Sequence, residues 1–192
     1  MRPTNTEIKR KLKICILDIE TTSLRGDYGG MIICAVLRSY PSGKSWSIRI
    51  DDPENPDVRS DKWIVKKLVE KINEQDMLVT WNGSMFDLRF IDTRCYKHKL
   101  PLMKAIFHRD ILYHARSKLM IRSRRLNVVH DFLFGGSNKT SLTEQVWEGM
   151  LCREKWAISY MVSHCIIDCR ETANIYEVFL PNLSEKLRKR GS

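Results

Sequence analysis

Lys13-Ile14-Cys15-Ile16-Leu17-Asp18-Ile19-Glu20-Thr21-Thr22 runs an apolar segment straight into two acids. Lys13–Asp18 reads as a buried strand. Residues two apart on a strand share a face, so Asp18 and Glu20 project together from its end. Two carboxylates about 4 Å apart repel by roughly 4 kcal/mol at an effective dielectric near 20. A divalent cation would offset that repulsion. Alone, the D-x-E pattern is common, and two acids lying in solvent just beyond a strand also account for it.

Outward from this strand, Gly26, Gly29 and Gly30 mark a turn, and Met31–Arg38 reads as a second strand. Ser45–Ile50 alternates as a third, paired antiparallel to the second after the turn at Pro41–Gly43. Asp51–Asp57, with two prolines and four acids, is a loop. Trp63, Ile64, Val65, Leu68, Val69 and Ile72 fall at helical spacing. Asp76–Trp81 is a short strand, and a helix follows through about Tyr96. Ala105–Phe107 is a candidate fifth strand. Helices are expected over Leu126–Phe134, Ser141–Gly149 and from about Glu154 to Phe179. Strands with interleaved helices, then a helical half, make one α/β domain. The domain is expected over 11–182, between a flexible segment at 1–10 and a basic tail at 183–192.

Composition narrows the class. The 192 residues, 43% of them hydrophobic, suffice for a buried core and argue against disorder. No apolar run approaches the ~18 residues that span a bilayer, and the N-terminus does not read as a secretory leader. Six cysteines without a C-x-x-C pair make a structural zinc site improbable and suit a reduced, cytoplasmic setting. The formal charge of +10 suits a polyanionic partner such as nucleic acid, although it serves solubility too.

Two further segments carry acids. In Leu78–Asp87 a buried strand meets an Asn82-Gly83 turn, and Asp87 falls in the first turn of the next helix. Ser84 as N-cap, with an acid three residues on, resembles a capping box, which explains Asp87 without function. The functional alternative is that strand ends and helix starts meet at the edge where open α/β sheets carry their active sites. On the last helix, His164 and Asp168 are four apart and share a face bordering an apolar stripe, half buried. As an isolated pair they read first as a hydrogen-bonded helix edge.

Taken in order, Asp18–Thr22, the stretch from Trp81 to Asp87, and the helix carrying Asp168 resemble the motifs of the DEDD superfamily of 3′–5′ exonucleases. The chain is similar in particular to predicted exonucleases related to the proofreading domains of B-family DNA polymerases, and the Asp110 segment looks like that group too. The resemblance implies an RNase H-like mixed five-stranded sheet, order 3-2-1-4-5 with strand 2 antiparallel, flanked by helices. It implies that Asp18, Glu20, Asp87 and Asp168 hold two Mg²⁺ or Mn²⁺ ions, ~3.5–4 Å apart, for phosphodiester hydrolysis. Asp18 would bridge both ions, Glu20 and Asp168 would hold the one that activates water, and Asp87 would act mainly through coordinated water. Single-stranded DNA is the favoured substrate, with RNA open.

One departure stands out. The family helix carries a tyrosine four residues before its last aspartate, or a histidine five before it; here His164 stands four before. That spacing aligns both side chains, so His164 is the candidate to orient or deprotonate water, ahead of Tyr160. Leu24 is a candidate to pack on a terminal base, and equally a loop residue capping the core. Thr21 and Asn82 adjoin the acids. Arg122, Arg124 and Arg125, within a basic stretch from His114 to Arg125, are candidates for phosphate contact, or else a solvated face. Lys139 joins them; the Gly135–Thr140 stretch around it lacks the glycine and preceding strand of a P-loop. Asp51, Asp52, Glu54 and Asp57 lack EF-hand spacing. Cys165 and Cys169 read as core. A catalytically silent binding module and a structure-specific endonuclease are the competing functions.

Overall fold

The computed structural model describes residues 12–138, 140–183 and 188–189. The segment expected to be flexible at 1–10, most of the basic tail and Lys139 lie outside these residues. The described elements are β1 (Ile14–Thr21), β2 (Ile32–Tyr40), β3 (Ser45–Arg49), α1 (Lys62–Asn73), β4 (Met77–Thr80), α2 (Asp87–His98) and β5 (Phe107–Asp110). There follow α3 (Ile111–Lys118), α4 (Leu126–Phe134), α5 (Glu144–Leu151), α6 (Lys155–Phe179) and a two-residue β6 (Arg188–Lys189).

The sheet order is β3-β2-β1-β4-β5-β6. β1 pairs antiparallel with β2 and parallel with β4, and β4 runs parallel to β5. This is the expected order and direction of the five strands, with β6 added antiparallel at the sheet edge through Phe107–Lys189 and His108–Arg188 pairing. The fifth strand begins at Phe107 rather than Ala105, and takes in His108 and Arg109. A strand toward the sheet edge tolerates such half-polar residues, which hid it from an apolar pattern.

β2 is buried on six consecutive residues, Ile32–Leu37, because both its faces are covered. α6 packs across β1, β2 and β4, while α1 packs on β2, β3 and α2. In α1 the buried set is Ile64, Val65, Leu68, Val69 and Ile72, a single helical stripe. No helix among the described residues is long and apolar enough to cross a membrane.

A buried ionic cluster ties α1, α2 and β2 together. Asp61, just before α1 and fully buried, accepts two hydrogen bonds from the Arg94 guanidinium at 2.7 and 2.9 Å. It also accepts from the Ile32 amide at 2.9 Å and sits 2.6 Å from His98 Nε2. Arg94 Nη1 donates in addition to the Gly26 carbonyl at 2.9 Å. The loop that follows β1 is thereby fastened to α2.

Candidate active site

The site lies at the C-terminal ends of β1 and β4, where the parallel pairing brings both strand ends to one edge of the sheet. The β1–β2 register shifts between Glu20 and Thr21, a bulge at the acid-bearing end of the strand. β4 leads into the turn at Asn82, which adopts a left-handed backbone (φ 68°). Gly83 packs so close to Thr80 that a Cβ there would lie 2.4 Å from Thr80 Oγ1, and only glycine fits.

Asp110 organises that turn. Its carboxylate accepts from the Asn82 and Ser84 amides, both at 2.9 Å, and from Leu112 N at 3.1 Å as the N-cap of α3. Ser84 is therefore not the cap of α2; the helix begins at Asp87, with Phe86 before it and no side-chain cap. Asp87 is buried at the helix start, and its Oδ1 accepts from Ile19 N at 3.2 Å. Ile19 lies between Asp18 and Glu20, so Asp87 is seated against the acidic strand end.

α6 contributes His164 and Asp168. Both are buried rather than half buried, and over His164 lies Thr140, whose Oγ1 is 2.7 Å from His164 Nδ1. His164 Nε2 points at Glu20 and Asp168, 3.7 Å and 3.8 Å from their nearest carboxylate oxygens. Tyr160 turns away, its hydroxyl donating to the Ser141 carbonyl at 3.2 Å.

The electrostatics show how close the acids stand. Desolvation, then the charges of Asp87, Asp168 and Glu20, push the Asp18 carboxyl well above the usual carboxylate range. Asp87 is raised to about 7 by burial, with Asp110 and Asp168 adding to the shift. Asp18 Oδ2 is shut off from solvent and makes no hydrogen bond among the described residues, the weakly donating Cys165 thiol beside this carboxyl only partly offsetting its upward shift. Ligand atoms of Asp18, Glu20 and Cys165 lie within 4.8 Å of one another. A cluster of mutually repelling carboxylates with a sealed oxygen that makes no hydrogen bond fits hard divalent cations.

A family model of the RNase H superfamily matches residues 15–180. The chain belongs to the RNase H superfamily. It is 24% identical to DNA polymerase 1 of Pyrococcus abyssi over 98% of this chain and 28% of that protein. It is 25% identical to a DNA polymerase of Pyrococcus glycovorans over 72% of this chain and 21% of that one. Among solved structures it resembles the family B DNA polymerase of Pyrobaculum calidifontis, with a TM-score of 0.70 and 15% identity. That match covers 90% of this chain and 25% of the polymerase. The chain thus spans about a quarter of the length of these polymerases.

In this RNase H superfamily chain two depressions open from the acids. The wider, about 620 Å³, runs from Asp18 and Asp168 past Trp81 and Asn82 to Arg116, Arg124 and Arg125. The other, about 440 Å³, runs from Asp18, Glu20 and Asp87 along Thr21–Leu24 to Phe86 and Trp147. Asp18, Trp81 and Asn82 border both. Leu24 is 85% exposed on the rim rather than a cap on the core. Thr21 lines the narrower depression, but its hydroxyl is engaged with the Ser23 carbonyl at 2.7 Å. Arg122 is exposed and does not line the wider depression.

Sequence reasoning missed several members of this RNase H-like site. Trp81, directly before Asn82, was legible as a strand-end aromatic beside the motif. Arg116 lies in the basic stretch but was not singled out. Cys165 is core, as expected, and also abuts Asp18 and Glu20. Trp147 and Thr140 carry no local signal; only the packing of the α4–α6 region brings them in.

Proposed function

We propose that this chain is a metal-dependent 3′–5′ exonuclease, acting on single-stranded ends of nucleic acid, DNA in preference to RNA. The observation that carries the reading is the meeting of two chemically different depressions at Asp18, inside the acidic cluster. Arginines along the wider depression suit backbone phosphates, and the aromatic and apolar walls of the narrower one suit a stacked terminal base. A strand lying through both would put its last phosphodiester at the acids. The likeness to DNA polymerases, about a quarter of whose length this chain spans, supports a nuclease that works on DNA ends.

Asp18, Glu20, Asp87 and Asp168 would hold a pair of divalent cations, Mg²⁺ or Mn²⁺, which when bound neutralise phosphate charge and make water more acidic. The protein's own part is to place groups around the phosphate. His164 Nε2, 3.7 and 3.8 Å from the Glu20 and Asp168 carboxylates, is the nitrogen placed to orient and deprotonate a water bound beside these acids. Arg116, Arg124 and Arg125 hold the strand upstream, and Leu24 with Trp147 braces its end.

End-labelled single strands incubated with Mg²⁺ test this. A ladder receding from the 3′ end is expected, and Asp18→Ala should reduce it to background with an unchanged far-ultraviolet dichroism spectrum. A discrete internal cut would instead show an endonuclease, and no cleavage a silent binding module. Undiminished turnover in the Asp18→Ala protein would refute the assignment of the acids.

A further inference from the structure

His164, Asp168 and Glu171 stand at positions i, i+4 and i+7 of α6 and so form one stripe on the helix. The third member faces no part of the acidic cluster. Glu171 is fully buried, and a buried carboxylate is costly unless its oxygens are satisfied. They are satisfied by the segment after α4: Ser137 Oγ donates to both oxygens, at 2.9 and 3.0 Å, and Asn138 N donates at 2.7 Å. His130 reinforces the seat from α4. Its Nδ1 donates to the Gly136 carbonyl at 2.7 Å, and its Nε2 accepts from Asn174 at 3.2 Å.

Two residues beyond Asn138, Thr140 Oγ1 lies 2.7 Å from His164 Nδ1. An imidazole hangs from two rotatable bonds, and a half-turn of the ring would aim carbon instead of Nε2 at the acids. A hydroxyl on Nδ1 fixes both the ring plane and the nitrogen that faces Glu20 and Asp168. We propose that Thr140 is a positioning residue for His164, and that Glu171 seats the segment that delivers it. The stripe on α6 then does two jobs: its first two members face the reacting phosphate, and the third moors the strap that aims the first. This inference rests on His164 acting on water, as read above.

The test uses Thr140→Val, which keeps shape and removes the hydroxyl, beside Thr140→Ser, which keeps the hydroxyl. With end-labelled single strands and Mg²⁺, Thr140→Val is expected to lower kcat by about 10- to 100-fold, as loss of outer partners does at metal sites, with KM unchanged. Thr140→Ser should recover kcat to within a few fold. Side-chain ¹⁵N spectra of the metal-free protein supply a readout independent of turnover. The His164 ring nitrogens should give one sharp set of shifts in the starting protein and in Thr140→Ser, and displaced or exchange-broadened signals in Thr140→Val, where the ring is free to turn. An unchanged His164 signal in Thr140→Val overturns the proposal, and so does a changed signal with kcat intact. If the starting protein hydrolyses nothing, the nuclease reading falls, and the spectra still decide whether Thr140 holds the ring.

Discussion

Asp18 occupies a place where a carboxylate is poorly tolerated without a cation, and the consequence is measurable in stability. The native Asp87 carboxyl titrates at about 7 against an ordinary 3.8, and Asp18 shifts in the same direction. Between those values the native state holds protons that the unfolded chain has released. Stability contributed by these groups is therefore present at low pH, falls as pH rises through the interval, and is missing above about 7. In the metal-free protein, Asp18→Asn should raise stability at pH 8 by about 0.5–2 kcal/mol, because it removes charge repulsion within the acidic cluster, and on the proposed function it should abolish hydrolysis. Thermal melts check this: the gain should shrink at pH 5, and Mg²⁺ should raise the melting point of the original protein more than that of the variant. A variant less stable than its parent at pH 8 would contradict the account. Asp18 and Glu20 were legible because a period of two puts them on one face. The four-residue step from His164 to Asp168 was legible for the same kind of reason. Thr140 was not, because its role depends on a partner 24 residues away that no local pattern encodes.

At the level of elements, the turn between β4 and α2 shows how a local reading goes astray. Ser84 and Asp87 imitate a capping box, yet the turn amides are held by Asp110 from the end of β5. The capping pattern competes with an acceptor that only the parallel β4–β5 pairing supplies. In the sequence Asp110 stands out only through the family likeness; its observed work is on backbone amides. Asp110→Ala leaves three amides without their acceptor and should destabilise the protein by about 2–4 kcal/mol. Because Asp87 starts the helix that this turn launches, kcat should fall too. Urea unfolding and the Mg²⁺-dependent assay together decide it: a loss of stability with full turnover would mean the turn does not set Asp87. The long strands and helices were legible from periodicity, whereas short β5 and the entry to α2 depended on neighbours far along the chain.

Over the whole molecule, the excess of 33 basic over 23 acidic residues acts as a field around the acidic pocket. Arg116, Arg124 and Arg125 bring that charge to the cleft wall. Binding of single strands, measured in Ca²⁺ to suppress cleavage, should weaken steeply with salt. Replacing Arg124 and Arg125 by alanine should flatten the log–log slope by roughly 0.7 for each phosphate no longer neutralised. A slope unmoved by the double replacement would place the strand elsewhere.

The Asp61–Arg94 cluster acts on the cleft from a distance. Arg94 grips the carbonyl of Gly26, two residues past Leu24, so the rim of the narrower depression inherits the rigidity of the interior. Inactivating substitutions ought then to form two islands on a mutational map, one around the acids and one at this remote knot. The second island would mark residues that never meet the substrate, yet decide how firmly its end is gripped.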